Sequence, residues 1–402
     1  MRYMPAIAVL SACLCSIPAV AQTPSTEGGA PARVHWGAVY VNPTFAVTNI
    51  GVDTNVFNSN EANRPQSDFT TTLTPGADAS LHVSRSIVTA SVKEDLVYYR
   101  QFASERSVNG YYKVGAVVPL NRLSYNLGAG WLSARDRPGF EIDARSLRTE
   151  SDAHAGFELR AWGKTFLSGT IRRSTVKFDE GAEFNGANLN QELSRVVTAA
   201  DVSLRHLITP VTTLTVDVSR EQDGFLFNPE RDSTSTRIVG GARFGTRLAG
   251  SAAVGYRAFE PRASDLPVYH GLVANADVSF TTVGSARLGV RVIRDVDYSY
   301  DFRQPYYVQT GATASYTHSL FGPLNGSARL GLQQLAYRGR LGLAVPVADR
   351  TDHIVLVGGS VGYRVAGGVR VSFNVDQQQR NSDLAGASYG GLRYGTSVTY
   401  GF

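Results

Sequence analysis

The chain has 402 residues, of which 43% are hydrophobic and only 18% are charged, and its formal net charge is +5. This composition is too polar for a bundle of membrane helices, whereas 40 Gly and 19 Tyr favour β-strands joined by many tight turns. The charges are scattered rather than gathered in a long basic stripe, which argues against nucleic acid as a partner.

Residues 1–21 have the pattern of a cleaved export signal. Arg2 gives a positive start, residues 5–18 form an apolar stretch, and Ala19, Val20 and Ala21 are the small residues of a cleavage site. The cysteines Cys13 and Cys15 both lie in this segment, so the mature chain has none, as suits an oxidising compartment. Lipidation of Cys13 is the alternative, but the apolar stretch before it would be only about seven residues.

Residues 22–37 are rich in Pro, Gly, Ser and Thr, and we expect them to form a disordered periplasmic tail. From residue 38 to residue 402 the chain repeats one pattern, in which segments of ten to fifteen residues alternate apolar and polar side chains. Residues 213–219 are the clearest example, because Leu214, Val216 and Val218 alternate with polar residues. This period of two places the apolar side chains on one face of a β-strand.

Short and long polar breaks separate the segments in turn. The short breaks are at 84–86, 119–122, 162–164, 209–212, 247–250, 282–285, 321–325 and 366–368. The long breaks are at 58–68, 103–107, 135–147, 179–192, 223–233, 260–267, 298–305, 338–350 and 380–387. This alternation predicts a transmembrane antiparallel up-and-down β-barrel of about 18 strands, with 16 as the alternative, because such barrels have tight turns at one rim and longer loops at the other.

A soluble β-sandwich or β-propeller is the competing fold. Strands of soluble β-proteins usually run about five or six residues, much shorter than the segments here. A propeller would also need a blade motif recurring every 40 residues or so, and the sequence has no such repeat. In a bilayer the first and last strands must pair, since an open sheet edge is too costly there.

The last strand has the form of a barrel assembly signal. Tyr394, Val398, Tyr400 and Phe402 share one face, and the chain finishes on an aromatic residue. This segment resembles the end of Gram-negative outer-membrane barrels, which implies that Tyr400 and Phe402 are recognised by the barrel-assembly machinery.

Two further segments resemble a family of outer-membrane β-barrel porins associated with exopolysaccharide or capsule production. The segment 49–57 is similar to the opening of that family, although Val52 stands where an aromatic residue is usual. The segment 255–260 is similar to a recurrent Gly-Tyr-Arg strand of the family, and it follows the polar hairpin opening at 233–236. The resemblance implies an outer-membrane channel, and it transfers no catalytic residue.

The sequence offers no convincing catalytic, metal or cofactor site. Residues 358–362 match the Gly-x-Ser-x-Gly pattern of esterases, but the surroundings predict a strand, and the last histidine, His353, precedes Ser360. The seven histidines are spread singly, without the spacing of metal ligands. We therefore expect no cofactor and no enzymatic activity, and an outer-membrane enzyme stays the least favoured alternative.

Charged residues on the polar face are the candidate functional residues. With the apolar face towards lipid, the predicted lumen-lining residues are Arg172, Asp201, Arg205, Asp217, Arg243, Asp277, Arg287, Arg291, Arg329, Arg370, Asp376 and Arg393. Arginine is in excess, which favours anionic solutes through the summed field of the wall. For any one of them, pairing or solvation that holds the strand register is the plainer interpretation.

These observations predict a porin-like channel in the outer membrane, for export of a polysaccharide or for passage of anionic solutes. A structural barrel with a blocked lumen is the alternative. The expected partners are outer-membrane lipid, the barrel-assembly machinery and periplasmic polysaccharide-export components, with no nucleic acid. The loops near 135–147 and 179–192 look too short to fold in as a constriction, so we expect a wide conduit or a lumen filled by side chains.

Overall fold

A computed structural model of the chain describes residues 34–282, 285–343, 349–365, 368–384 and 386–401. The predicted export signal and the assembly residue Phe402 lie outside these ranges. Among the described residues, no helix is both long and apolar enough to span a membrane. The long strands of an antiparallel sheet make up almost the whole of the described chain.

The described strands and the one short α-helix follow in chain order. They are β1 (Val34–Trp36), β2 (Val39–Asp53), β3 (Asp68–Val83), β4 (Ser86–Tyr99), β5 (Ser107–Pro119), β6 (Leu123–Asp136), β7 (Ser146–Trp162), β8 (Thr165–Phe178), β9 (Glu183–Phe184), β10 (Ala187–Asn188), α1 (Leu189–Leu193), β11 (Arg195–Thr209), β12 (Thr212–Phe225), β13 (Ser233–Gly245), β14 (Leu248–Pro261), β15 (Tyr269–Thr281), β16 (Arg287–Tyr298), β17 (Tyr306–Phe321), β18 (Leu324–Arg338), β19 (Thr351–Arg364), β20 (Val369–Ser382) and β21 (Tyr389–Tyr400). Short 3-10 turns lie at Glu61–Asn63, Ala103–Glu105 and Pro229–Arg231.

Eighteen of these strands, β2 to β8 and β11 to β21, pair with their neighbours and close into a barrel. The closing seam joins β2 to β21, from Phe45 opposite Tyr400 to Asp53 opposite Arg393. An irregularity between Val47 and Ile50, where Asn49 has a φ of 54°, interrupts the register. The prediction of an 18-stranded closed barrel is therefore confirmed, and its short and long breaks fall between the observed strands.

The expected tail ends in a strand. β1 pairs with the start of β2, Val34 opposite Val41 and Trp36 opposite Val39, through a turn at Gly37. Residues 34–36 thus depart from the disorder expected for 22–37, because their backbone groups find partners on β2.

Large apolar side chains cover the outer face of the wall. On β12, Leu214, Val216 and Val218 are exposed, whereas the residues between them lie on the opposite face. The neighbouring strand continues the apolar surface, since Leu204 of β11 lies opposite Val216. The exposed Arg220 ends this run on β12. An apolar band of this kind is what contact with lipid requires.

Nine connections at the second rim are longer than the turns at the first, and we name them L1 to L9 in chain order. They include L1 (residues 54–67), L3 (137–145), L4 (179–194), L7 (299–305) and L9 (383–388). L4 contains the hairpin β9–β10 and the helix α1. Asn185 and Gly186 both have positive φ, as a tight two-residue hairpin turn requires.

The wall divides between β15 and β16 near the long-loop rim. Their pairing starts at Ala274 opposite Arg294, so residues 269–273 extend beyond it. Past this point Val296, Tyr306 and Val308 pack against Phe259 of β14 and Tyr269 of β15. The end of the β16–β17 hairpin therefore leaves the plane of the wall, and it carries L7 towards the barrel axis.

We expect Val216→Arg to destabilise the barrel in lipid by about 2–4 kcal/mol, since it places a charge in the middle of the outer apolar band. Val216 is 50% exposed in the isolated chain and lies between Leu214 and Val218 on the outer face. The measurement is the free energy of unfolding in lipid vesicles, with Val216→Leu as the apolar control. Equal stability of the two variants would contradict a lipid-facing position for Val216.

Candidate functional site

The loop L3 crosses the interior of the barrel. It leaves the wall between β6 and β7 through Pro138 and Gly139, and Gly139 has a φ of 83°, which glycine adopts without strain. The side chain of Phe140 packs against a buried cluster on the far wall, made of Tyr307, Leu335, Tyr337 and Ile354.

The far wall in question lies almost diametrically opposite L3. The cluster belongs to β17, β18 and β19, and eight strands separate L3 from β18 in one direction and nine in the other. Contact at that separation is possible only across the interior. The expectation that this loop is too short to fold inward was wrong, because an extended segment of a few residues at about 3.3–3.6 Å per residue reaches far from its rim.

Arg380 of β20 is the polar anchor of L3. Its Nη1 donates to the carbonyl oxygens of Phe140 at 3.2 Å and of Glu141 at 2.9 Å, and it forms an ion pair with Asp143 at 2.5 Å. Its Nη2 bonds to the carboxylate of Asp352 at 2.5 Å, and the side chain is only 1% exposed. Arg380 therefore ties the loop backbone to the wall, and removing it would leave the carboxylate of Asp143 without this ion-pair partner.

Glu141 at the middle of L3 is the most deeply enclosed carboxyl group of the loop. It is 2% exposed, and it accepts a hydrogen bond from the Ser299 hydroxyl at 2.5 Å and one from the Tyr300 amide at 3.2 Å. Burial raises the pKa of Glu141 to about 7, although those two bonds and the charges of Arg350 and Arg380 lower it. Burial also raises the pKa of Asp143, against the opposing effect of Arg380.

Other loops brace L3 from its sides. Ile142 joins Phe178, Leu189, Leu193 and Tyr300 in a buried apolar cluster that unites L3, L4 and L7. The structure therefore encloses the tip of L3 in an apolar shell as well as in hydrogen bonds.

Two arginines hold the neighbouring loops to this shell. Arg137 of L3 donates to the carbonyl oxygen of Val56 in L1 at 2.6 Å. The buried Arg231 donates to the carboxylate of Glu192 in L4 at 2.7 Å. It also donates to the carbonyl oxygens of Ser299 and Pro305, the first and last residues of L7, at 2.5 and 2.9 Å. These bonds fix L1, L4 and L7 relative to one another and to L3.

The predicted lumen-lining residues all lie on the same face of the barrel wall. Each occupies the strand face opposite the exposed apolar side chains, as Arg370 and Asp376 do on β20, where Val371, Phe373 and Val375 are exposed. Arg380 shares the face of Arg370, which makes this the face that L3 contacts. Whether these residues line a conducting lumen stays a prediction.

Five of the eight predicted arginines form ion pairs. The pairs are Arg172–Glu221 at 3.5 Å, Arg205–Glu158 at 2.7 Å, Arg291–Asp277 at 3.1 Å, Arg329–Asp376 at 2.5 Å and Arg393–Asp53 at 2.8 Å. Arg287 donates to the Ser279 hydroxyl and Arg370 to the Asn325 side-chain oxygen. The structure thus brings Asp277 and Asp376 together with predicted arginines.

Sequence reasoning missed the residues that hold L3, namely Phe140, Glu141, Asp143, Arg350, Asp352 and Arg380. A signal was available, since Phe140 and Ile142 are large apolar residues in a loop expected to be solvated. No group of three or more His, Cys, Asp or Glu in the described ranges is arranged to hold a metal ion.

The two segments that carried the family resemblance have structural roles. Asp53 of the first segment pairs with Arg393 across the closing seam, and Asn55 bonds to the Gly390 carbonyl oxygen at 2.9 Å. Arg257 of the second segment is buried, and it bonds to Asp295 at 2.7 Å and to Glu221 at 3.4 Å. Both segments therefore join strands that are distant in sequence.

The fold defines the class of the protein as a transmembrane β-barrel. Within that class, a family described as "Putative beta-barrel porin 2" matches residues 30–402, and the chain belongs to this family. No curated protein matches the chain.

The chain is also similar to solved porins, at very low identity. The BenF-like porin of Pseudomonas fluorescens Pf-5 is 10% identical with a TM-score of 0.49, and 90% of this chain and 98% of that one are covered. OccK9 (OpdG) of Pseudomonas aeruginosa is 12% identical and OccAB4 of Acinetobacter baumannii is 10% identical, each with a TM-score of 0.47 and coverage of 90% and 97%. Similarity at this level indicates no solute for the present chain.

We expect Phe140→Ala to make L3 more mobile, because the loop tip loses its packing on the far wall. The lost packing should destabilise the position of the loop by about 3 kcal/mol. The measurement is hydrogen–deuterium exchange of residues 137–145, which should speed up markedly. Phe227→Ala is the matched control, since Phe227 lies in another long loop and is 51% exposed. Unchanged protection of L3 in Phe140→Ala would show that the aromatic contact does not hold the loop.

Stability should also depend on pH through Glu141. Its pKa is raised from 4.5 to about 7, so the folded state binds the proton more tightly than the unfolded state. The stabilisation is complete below about pH 4.5 and is lost as the pH rises through 7, with a total of about 3 kcal/mol. Unfolding followed from pH 4 to pH 9 should show this loss in the wild type, and the slope should be smaller in Glu141→Gln. Parallel pH profiles of the two proteins would rule out the effect.

Proposed function

We propose that the protein is an outer-membrane channel of a Gram-negative bacterium that passes small anionic solutes through a barrel narrowed by L3. The short turns would face the periplasm and the long loops the cell exterior, as in barrels of this kind. Membership of a porin family and the closed 18-stranded wall support the channel. Lipid and the barrel-assembly machinery are the partners that such a location implies.

The observation that carries the preference for anions is the distribution of charge along the inner face. Six of the predicted lumen-lining residues are arginines within five residues of the short-turn end of their strand: Arg205, Arg243, Arg287, Arg291, Arg329 and Arg370. Of the four predicted aspartates only Asp217 and Asp277 lie as close to that end. Arg364 adds a further cation beside Arg370, its cross-strand neighbour.

Such a surplus of cations attracts anions and repels cations at one mouth of the barrel. Low-dielectric walls focus the field in the opening, so the selectivity depends on the sum of the charges rather than on one residue. Three of the six arginines, Arg205, Arg291 and Arg329, are in ion pairs that are neutral overall and contribute little to that sum. The surplus therefore depends on Arg243, Arg287 and Arg370, together with Arg364.

L3 favours small solutes over a polymer. Export of a polysaccharide would need a wide conduit, whereas L3 spans the interior and is anchored on the far wall by Phe140 and Arg380. If L3 and the side chains around it close the barrel fully, the protein is instead a structural barrel with a blocked lumen. Electrical recording separates these alternatives.

In planar bilayers we expect stable conductance with a reversal potential that indicates anion preference in a KCl gradient. The triple substitution Arg243→Gln, Arg287→Gln and Arg370→Gln should bring the permeability ratio close to unity, because it removes half of the six arginines near the short turns. Arg262→Gln is the control, since Arg262 lies at the long-loop rim and its side chain is 74% exposed.

The possible contrary results are distinct. Absence of conductance in the wild type would favour the blocked barrel. Cation preference, or anion preference that the triple variant retains in full, would refute the role of the arginines.

A further inference from the structure

Two arginines of the wall lie on its outward face. Arg173 of β8 and Arg220 of β12 alternate with the inward residues of their strands, and both side chains are exposed. Arg172, the residue before Arg173, faces inward instead and pairs with Glu221 at 3.5 Å. Among the residues that the structure describes, neither outward guanidinium has an ion-pair or hydrogen-bond partner.

The two outward arginines flank one strand, β11. Arg173 lies opposite Thr198 of β11, and Arg220 lies opposite Ala200 of the same strand. Thr198 and Ala200 are successive outward residues, so two strand spacings and a two-residue offset separate the arginines, which is about 12 Å between their Cα atoms. No Asp or Glu occupies an outward position within the described strands β7, β8, β11, β12 and β13. The two cations therefore form a positive patch on the outside of the wall, which we name the outer arginine patch.

Further charges lie closer to the long loops. Lys177 is on the same face of β8, four residues beyond Arg173, and Asp179 follows it at the start of L4. The opposite charges of Lys177 and Asp179 offset each other at longer range. The outer arginine patch is therefore defined by the two arginines alone.

The outer face changes from apolar to polar at the level of this patch. On the short-turn side of it lie Ile171 of β8, Val202 of β11 and Val218 of β12, with exposed fractions of 65%, 55% and 44%. At the patch the outward residues of β11 and β13 are threonines, Thr198 and Thr236, and Thr236 lies opposite Arg220. A charge is costly at mid-bilayer and much less so at the interface, so this change places both guanidinium groups among the lipid headgroups.

The chemistry of the patch suits a phosphorylated glycolipid. Guanidinium groups bind phosphate through charge-assisted and often bidentate hydrogen bonds. The hydroxyls of Thr198 and Thr236 can both donate to and accept from sugar hydroxyls. Ile171, Val202 and Val218 offer apolar surface to acyl chains directly below.

The spacing of the arginines favours a headgroup with two phosphates. At about 12 Å between Cα atoms, each arginine can bind a phosphate of its own, so a headgroup with two phosphates gains from both. Lipid A, the glycolipid of the Gram-negative outer leaflet, carries two phosphates on a disaccharide. A phospholipid such as phosphatidylglycerol has one phosphate and no sugar ring.

We propose that Arg173 and Arg220 form a binding site for the diphosphorylated headgroup of lipid A, located on the outside of the barrel over β11. The site rests on the proposed function for its orientation, in which the long loops face the cell exterior and this level of the wall meets the outer leaflet. It is separate from the solute path, since both side chains point away from the barrel interior.

The test is native mass spectrometry of the purified full chain in neutral detergent, titrated with diphosphorylated lipid A. Dephosphorylated lipid A is the matched ligand, phosphatidylglycerol tests a general preference for anionic lipid, and inorganic phosphate tests the free anion. Dephosphorylated lipid A and phosphatidylglycerol should each bind at least about tenfold more weakly than lipid A, because charge-assisted hydrogen bonds are lost. Inorganic phosphate at equal concentration should not displace lipid A. The comparison of the two forms of lipid A uses the wild type, so it does not depend on the folding of a variant.

Paired substitutions then locate the site. Arg173→Gln combined with Arg220→Gln should weaken lipid A binding about tenfold or more. Arg173→Lys combined with Arg220→Lys keeps both charges and should retain most of the affinity. Arg85→Gln is the control, since Arg85 is an exposed arginine in the first short turn, at the opposite rim of the barrel, and this variant should bind lipid A as the wild type does.

Equal binding of the two forms of lipid A, or of lipid A and phosphatidylglycerol, would overturn the site. Wild-type affinity in the double Gln variant, or an equal loss in Arg85→Gln, would do so too. Conductance separates this site from the proposed channel, because the double Gln variant should conduct as the wild type does. Anion-selective conductance without lipid A binding would refute the lipid site alone, whereas lipid A binding without conductance would support the site and refute the open channel.

Discussion

The constraint on which the structure depends is that every backbone hydrogen-bonding group of the wall needs a partner within the wall. Lipid offers none, so the sheet must close, and here β2 and β21 close it despite the irregularity near Asn49. Closure separates an outer apolar face from an inner face that is shielded from lipid. On the inner side of this wall, Arg380 pairs with Asp143 and Asp352 and holds L3 in place.

The fold could be predicted because a closed barrel in lipid requires a local pattern of apolar and polar residues in each strand. Leu214, Val216 and Val218 alternate with polar residues since one face of β12 meets lipid and the other does not. The breaks are equally local, because a tight turn needs only a few residues of suitable type. The number of strands, the order of long and short connections and the family resemblance all followed from features of this kind.

The path of L3 could not be predicted in the same way, because its contacts are distant in sequence. Phe140 packs on Tyr307 and Tyr337, and nothing in the residues around 140 identifies those positions. The small number of residues in L3 was also a misleading guide to its path. A short loop reaches the far wall when the elements that it contacts lie closer to the barrel axis, as L7 does beyond the divergence of β15 and β16. The predicted arginines were placed on the correct strand face by alternation, but their ion pairs, such as Arg205 with Glu158 two strands away, depend on the register.

The divergence of β15 from β16 also limits how deep the protein can sit in its membrane. Between Ala274 and the long-loop rim β15 is not paired with β16, so we expect this part of the wall to contact water or headgroups rather than acyl chains. On β12, the outward-facing Arg220 lies at a comparable number of residues from the short-turn rim. From both features we expect the upper boundary of the hydrocarbon to lie below the long loops on this side, with L3 and the loops around it in the aqueous phase.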